Sequence, residues 1–299
     1  MTDSFRCSVS SLARGESSAG TASTVRAFLL IEFAGPWGAD ALRDARLPPS
    51  VKQRLADLTA QHRVRPLLIR KHGRGSNSFS IQVFAANSDP ENPWLQTATV
   101  DKPEDLLDLD LAALGAGDSP GLDPHQQPLF LVCTHGRHDV CCAERGRPVA
   151  AALSRSHPNA SWEVSHIGGD RFAANLLVLP DGLYYGRLDP ETAQSLAAAH
   201  LGGHLDLERL RGRCGYPTAV QIAELHLRRE LGLSALRALR LRSCSRSEDI
   251  YQVVFLARGQ SWLVRIRTSK GPVEQLACRA RRLNPTVAHQ VLGIELTLP

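Results

Sequence analysis

Short apolar runs recur along this chain, separated by polar and glycine-rich stretches. VRAFLLIEFAG at 25–35 is almost continuously apolar and closes on glycine, the pattern of a strand buried on both faces. GADALRDARL and PSVKQRLADLTAQH carry helical spacing, the second with Pro and Ser at its start. PLLIRK and FSIQVFA read as strands either side of HGRGSNS, LQTATV as a further strand, and KPEDLLDLDLAAL as a helix. Residues 1–24, rich in Ser, Gly and Thr, read as an irregular lead-in. GAGDSPGLDPHQQP at 115–128 is a Gly/Pro/Asp-rich linker and the clearest break in the pattern.

Beyond the linker the order sharpens. LFLVC (129–133) predicts a strand, and RPVAAALSRS a helix with Pro148 near its first turn, where a missing N–H costs little. SWEVSH (161–166) is a strand and IGGD a tight turn. NLLVLP and LYYGRL flank Asp181-Gly182, a hairpin signal. DPETAQSLAAAHLGG supplies an N-capping Asp189, Pro190 at the first helical position and Gly202 at the end. Residues 129–203 therefore run strand, helix, strand, strand, strand, helix, the order of a thioredoxin-like sheet. Residues 25–114 run in a similar order and suggest a degenerate second copy, with GPWG (35–38) where the later copy has cysteines. Past 206, PTAVQIAELHLRRELGL predicts a helix, and IYQVVFLA, SWLVRIRT and QVLGIELTL predict strands. The expectation is an α/β chain with a mixed sheet in three parts. These are a cofactor-free N-terminal part (1–125), a thioredoxin-like part carrying the chemistry (126–206), and a small basic α+β part (207–299).

Composition narrows the function classes. The N-terminal residues contain no apolar secretory core, and no stretch approaches the ~18 apolar residues of a spanning helix. The expectation is a soluble, cytoplasmic protein. Seven cysteines, an odd number, argue against a disulfide framework and for reduced thiols. The net charge of +5 is modest, and arginines late in the chain alternate with leucines, as on solvated faces. No aromatic platform or recognition motif accompanies that charge, which argues against nucleic-acid binding. No P-loop, dinucleotide fingerprint or nucleophile elbow is present.

The chemistry gathers in CTHGRHDVCC (133–142) and HIGGD (166–170). Cys133 ends one expected strand, and Cys142 follows in the loop before the next helix. His166 ends the neighbouring strand, and Asp170 lies four positions on, across Gly168 and Gly169. Both pairs sit on loops after neighbouring strand ends, where they can converge, and the glycines let backbone approach a bulky inorganic group. Cys141 is a rival for the fourth position, although adjacent residues on an extended chain point apart. His135 and His138 read as exposed loop residues, Arg137 and Asp139 as loop braces. Cys7, Cys214, Cys244 and Cys278 are scattered and read as structural.

The spacing C-x8-C, a second pair four apart, and then Pro-Asp-Gly and Tyr-Gly resemble the thioredoxin-like [2Fe-2S] ferredoxins. Within that group, CTHGRHDVCCAERGRPVAAAL and SWEVSHIGGDRFAANLLVLPDGLYYGRL resemble the sucrase/ferredoxin-like family. CSVSSLARGESSAGTA and LLIEFAGPWG fit it too, and the likeness runs over roughly 7–205. The resemblance implies a [2Fe-2S] cluster held by a cysteine pair and a histidine pair. Cys133 and Cys142 match the cysteines and His166 the first histidine, but Asp170 stands where the second histidine belongs. An oxidised cluster with these ligands carries a formal charge of about −1, against about −2 for four thiolates and about 0 for a Rieske-like set. The expected potential lies between those classes.

The expected function is electron transfer or redox sensing with a partner protein, rather than catalysis on a substrate of its own. Zinc in the same four residues is one alternative. A thiol oxidoreductase is another, weakened by the absence of C-x-x-C. Glycoside hydrolysis has no carboxylate pair to support it.

Overall fold

The computed structural model describes residues 5–73 and 80–297, so most of the expected HGRGSNS loop lies outside the described residues. The first half runs α1 (Cys7–Ala13), β1 (Ala27–Glu32), α2 (Pro49–Gln61), β2 (Val64–Arg70), β3 (Ile81–Asn87), β4 (Trp94–Val100), α3 (Leu111–Ala116) and β5 (Asp123–Pro124). The second runs β6 (Leu129–Cys133), α4 (Val140–Ser156), β7 (Ser161–Val164), β8 (Leu176–Leu179), β9 (Leu183–Tyr185), α5 (Pro190–Leu201) and β10 (Leu210–Arg213). These strands form one mixed sheet in the order β10-β9-β8-β6-β7-β2-β1-β3-β4-β5.

The two halves repeat one pairing scheme. β1 is parallel to β2 and antiparallel to β3, which is antiparallel to β4. β6 is parallel to β7 and antiparallel to β8, which is antiparallel to β9. Each parallel pair needs a crossover, supplied by α2 in one half and α4 in the other. The halves join edge to edge where β2 and β7 pair through Ile69↔Val164 and Arg70↔Glu163. β6 and β8 are buried throughout, which explains their unbroken apolar runs. Val149, Ala150 and Leu153 of α4 and Ala193, Leu196 and Ala197 of α5 pack together against Phe130, Val132 and Val178.

The rest is α6 (Thr218–Leu231) and an antiparallel meander of β11 (Arg240–Ser247), β12 (Ile250–Ala257), β13 (Gln260–Glu274) and β14 (Asn284–Thr297). Val220, Ile222, Ala223 and Leu227 of α6 cover Val253, Phe255, Val264 and Ile266 of the meander. None of the described helices is long and apolar enough to cross a membrane.

Several local expectations need correction. The lead-in contains a helix, α1. GADALRDARL forms turns instead of a helix. Asp44 accepts from the Asp40 N–H at 2.9 Å and Asp40 from the Arg43 N–H at 3.0 Å, so the carboxylates satisfy local backbone in a non-helical form. KPEDLLDLDLAAL divides into a 3-10 turn (Pro103–Leu107) and α3, which Asp110 caps by accepting from the Ala113 N–H at 2.9 Å. α4 starts at Val140, so Pro148 lies inside the helix and Cys142 lies in the helix's first turn, not in a loop. β10 hydrogen-bonds to β9, so a boundary at 207 falls before the last strand of the large sheet.

Candidate metal centre

Asp139 starts the site. It is fully buried, takes an extended backbone, and its carboxylate accepts from the Cys141 N–H at 2.8 Å, capping α4. The helix it starts turns by about 100° per residue, so Cys141 and Cys142 leave it in different directions. Cys142 faces the end of β6, where Cys133 lies. The helix can approach this strand end because residue 146 is glycine: a Cβ there would stand 2.1 Å from the Cys133 carbonyl oxygen.

The second pair comes from the turn after β7. Gly168 and Gly169 both take positive φ, +99° and +81°, and fold the chain so that Asp170 returns beside His166. Arg211 of β10 braces this turn from beneath. It donates to the Gly168 carbonyl at 3.0 Å, to Asn175 Oδ1 at 2.8 Å and to Thr21 Oγ1 at 3.1 Å. A Cβ on residue 169 would stand 2.2 Å from its guanidinium. Arg211 is buried, and burial pushes its pKa down to about 10.

These loops bring Cys133, Cys142 and His166 together, with one ligand atom from each within 4.8 Å of the others. Cys133 and Cys142 are both about 1% exposed. The Cys142 thiol donates to Asp170 Oδ1 at 3.2 Å. His166 Nδ1 stands 3.0 Å from the same oxygen, but off the line of a hydrogen bond, which leaves Nδ1 a buried nitrogen with no hydrogen-bond partner. A histidine ring held beside two thiols by a carboxylate offers a donor set that suits a metal.

The charges are interlocked. The hydrogen bond shared with Cys142, helped by the His166 ring, holds the Cys133 thiol well below its ordinary pKa despite burial. The same bond, together with burial, pushes Cys142 well above. Burial alone would lower the His166 ring, but Asp170 and Cys133 outweigh it and raise the ring to about 9. Burial would raise Asp170, yet His166 and Cys142 hold its carboxyl below the usual range. The site thus favours a thiolate at Cys133 and a carboxylate at Asp170, both forms that bind metal.

His135 differs from expectation, whereas His138 is exposed in the turn before α4 as expected. His135 is buried, with Nε2 2.7 Å from the Gly38 carbonyl and Nδ1 accepting the His166 N–H at 3.2 Å. His138 stacks on the His166 ring, centroids 3.7 Å apart, with Nε2 3.9 Å from Asp170 Oδ2. His138, His166 and Asp170 form a second possible ligand group. These three histidines line one end of a cavity of about 770 Å3, which Arg43, Lys52 and Arg65 also line. Sequence reading missed His138 and Arg211. An N-cap signal at Asp139 would have placed His138 beside the helix start, whereas no local signal marks Arg211.

Cys141 Sγ lies in a separate group with Cys7, Cys278 and Asp139. Cys214 is buried and Cys244 exposed. Arg171, beside Asp170, is engaged: Nε donates to Glu16 Oε1 at 2.7 Å and its guanidinium lies over Phe172.

Fold and site together define a mixed α/β protein with a buried Cys/His/Asp constellation suited to a metal. The sucrase/ferredoxin-like family model matches residues 18–212, and the chain belongs to that family. Two solved structures of the thioredoxin-like [2Fe-2S] ferredoxin from Aquifex aeolicus are similar to part of it. One, a cysteine-to-serine variant, is 22% identical, covers 28% of this chain and 97% of its own, and has a TM-score of 0.26. The other is 21% identical, covers 29% and 90%, and has a TM-score of 0.26. No curated protein matches the chain.

Proposed function

We propose that this protein is an electron carrier or redox sensor that holds one [2Fe-2S] cluster through Cys133, Cys142, His166 and Asp170. The carrying observation is the convergence of the Cys133 and Cys142 thiols, from the end of β6 and the first turn of α4, on the His166 ring, with one ligand atom from each within 4.8 Å of the others. Soft thiolates suit iron–sulfur clusters, and imidazole is an accepted replacement on one iron. Bound there, the cluster would supply one-electron transfer.

The chain's own residues set the conditions. Cys133 and Cys142 form the buried side, closed by the contact at Gly146. His166 and His138 form the side nearest solvent, with side chains 24% and 39% exposed, at the mouth of the 770 Å3 cavity. Arg43, Lys52 and Arg65 on that cavity suit an acidic redox partner. The buried Arg211 guanidinium fixes the His166–Asp170 turn and places a positive charge behind it.

Anaerobic purification with a visible spectrum and iron and sulfide counts tests this reading. A red-brown protein with two irons and two sulfides per chain is expected. Asp170→Ala and His138→Ala, examined separately, tell which supplies the fourth ligand; Asp170→Ala is expected to alter the spectrum and His138→Ala to leave it. A second reading has one observation in its favour: Cys133, Cys142 and His166 lie within 4.8 Å of one another, a span that suits a single tetrahedral zinc. A colourless, iron-free protein whose zinc is lost in Cys133→Ser would establish it instead.

A further inference from the structure

We infer that Cys7, Cys141 and Cys278, with Asp139, form a second metal site, for a thiophilic divalent cation of the zinc type. It stands independently of the reading given to the first site. The three cysteines arrive from α1, from the first turn of α4 and from the turn between β13 and β14, and Cys7 and Cys278 are 271 positions apart. Cys7 and Cys141 are buried and Cys278 is half-buried.

The spacing is that of a coordination shell. Cys141 Sγ and Cys278 Sγ are 3.4 Å apart, and Cys278 Sγ and Cys7 Sγ 3.5 Å. Cys7 Sγ is 3.7 Å from each oxygen of Asp139. One atom from each of the four residues lies within 4.8 Å of all the others. Ligands about 2.3 Å from a tetrahedral zinc stand about 3.8 Å from one another, close to the three separations just given and about 1 Å inside the 4.8 Å bound on the remaining pairs.

The surroundings point donors at sulfur. The Cys7 N–H donates to Cys278 Sγ at 3.4 Å, and the Ser8 hydroxyl donates to Cys141 Sγ at 3.3 Å. Donors aimed at sulfur favour the thiolate, the form that binds metal, and recur around metal-bound thiolates. Asp139 fixes two of the three segments: its carboxylate accepts from the Cys141 N–H at 2.8 Å and from the Cys278 N–H at 2.6 Å. Simple packing does not explain three sulfurs around one buried carboxylate, because apolar side chains would fill that space with no polar group to satisfy. The Cys/Asp donor set excludes hard cations such as magnesium, which take oxygen ligands. The bound cation would tie the N-terminal helix and the C-terminal meander to the start of α4.

The test uses the full chain, purified anaerobically without chelators, and measures zinc and iron together. About one zinc per chain is expected to remain in Cys133→Ser, whichever metal the first site holds. Cys278→Ser and Cys7→Ser should each weaken zinc retention against a chromophoric chelator by at least about tenfold. Their visible spectrum and iron content should match the parent protein, whereas Cys133→Ser should lose iron and keep the zinc. Cobalt(II) added to the zinc-stripped, iron-loaded parent chain should give intense thiolate-to-cobalt absorption, reduced in Cys278→Ser, and an iron chromophore retained by that variant guards against one that merely misfolds. Two results overturn the site. One is a folded parent protein with no zinc and no cobalt–thiolate absorption. The other is a cross-linked peptide two hydrogens lighter joining Cys278 to Cys141 or Cys7, which would make these cysteines a disulfide pair.

Discussion

At the scale of single residues, the decisive one is Asp170. As a ligand of the proposed cluster it would add a negative charge where a neutral imidazole would stand, and relative to a thiolate it would donate less electron density. The potential should therefore fall between about −400 mV, typical of plant-type all-cysteine clusters, and the Rieske range of about −150 to +300 mV. Asp170→Cys should move it down and Asp170→His up, measured by spectroelectrochemical titration; a shift in the opposite order removes Asp170 from the ligand set. His166 gives a pH test in the metal-free protein. Its ring pKa is raised to about 9, above the ordinary histidine value of ~6.5. The stability it contributes is full below pH ~6.5 and is lost as pH rises through about 9. Urea midpoints between pH 6 and 10 should fall in that window for the metal-free parent, and less steeply for His166→Gln. Equal slopes would show that the His166–Asp170 pair contributes nothing to stability. Cys133, His166 and Asp170 were legible as candidates because each lies at a strand end or turn that hydrophobic patterning marks, and Cys142 by its spacing from Cys133. His138 was not, because it reaches the site only through the turn that starts α4. Cys278 was not, because its partners lie far away in sequence.

At the scale of elements, Pro148 explains why α4 was read seven or eight residues short. Proline is commonest at a helix start, and the real start carries a different signal, the Asp139 cap. Once the helix begins at Val140, the separation of Cys141 from Cys142 follows from helical geometry. The helix is pinned to β6 at Gly146, and this gives a prediction in which two effects oppose. Gly to Ala inside a helix normally gains about 1 kcal/mol. Here the new Cβ would meet the Cys133 carbonyl at 2.1 Å, against backbone that cannot swing away. Overpacking of this kind costs about 1–3 kcal/mol. Gly146→Ala should therefore be destabilising in denaturant titrations and should lower iron retention, since the clash separates the two thiol-bearing elements. A stabilised Gly146→Ala with full iron would mean that the helix and strand are not tightly joined at residue 146. The strands of the large sheet were legible because buried strands are nearly all apolar. The turns at 38–47 were not, because their spacing imitates a helix while Asp40 and Asp44 hold the backbone in another form.

At the scale of the whole molecule, one sheet spans both halves, and the C-terminal part is attached by buried charge as well as apolar contact. Its place was hidden in the sequence, where β10 reads as a basic stretch, LRGR, with no strand-like apolar run. Those arginines are buried because they have partners inside. Glu224 of α6 faces one of them and an arginine of its own helix: Arg213 Nε of β10 lies 3.6 Å from its Oε1, and Arg228 Nε donates to the same oxygen at 3.0 Å. The three side chains are 3%, 0% and 5% exposed. Arg228 also donates to the Ala235 carbonyl at 2.8 Å and Arg213 to the Asp181 carbonyl at 3.0 Å, while only Glu224 balances their charge directly in this triad. Removing the carboxylate strands two buried cations, and breaking a buried pair in this way costs about 3–5 kcal/mol. Glu224→Ala should therefore lower the unfolding free energy by about that amount. Glu224→Gln, which keeps the shape and a hydrogen-bond acceptor, should lose less. Neither substitution touches the Cys133–His166 site, so the iron content of the folded fraction should be unchanged. The joint between the large sheet and the meander would then be set by Glu224. If Glu224→Ala unfolds like the parent, the apolar contact of α6 with the meander and sheet carries the joint alone.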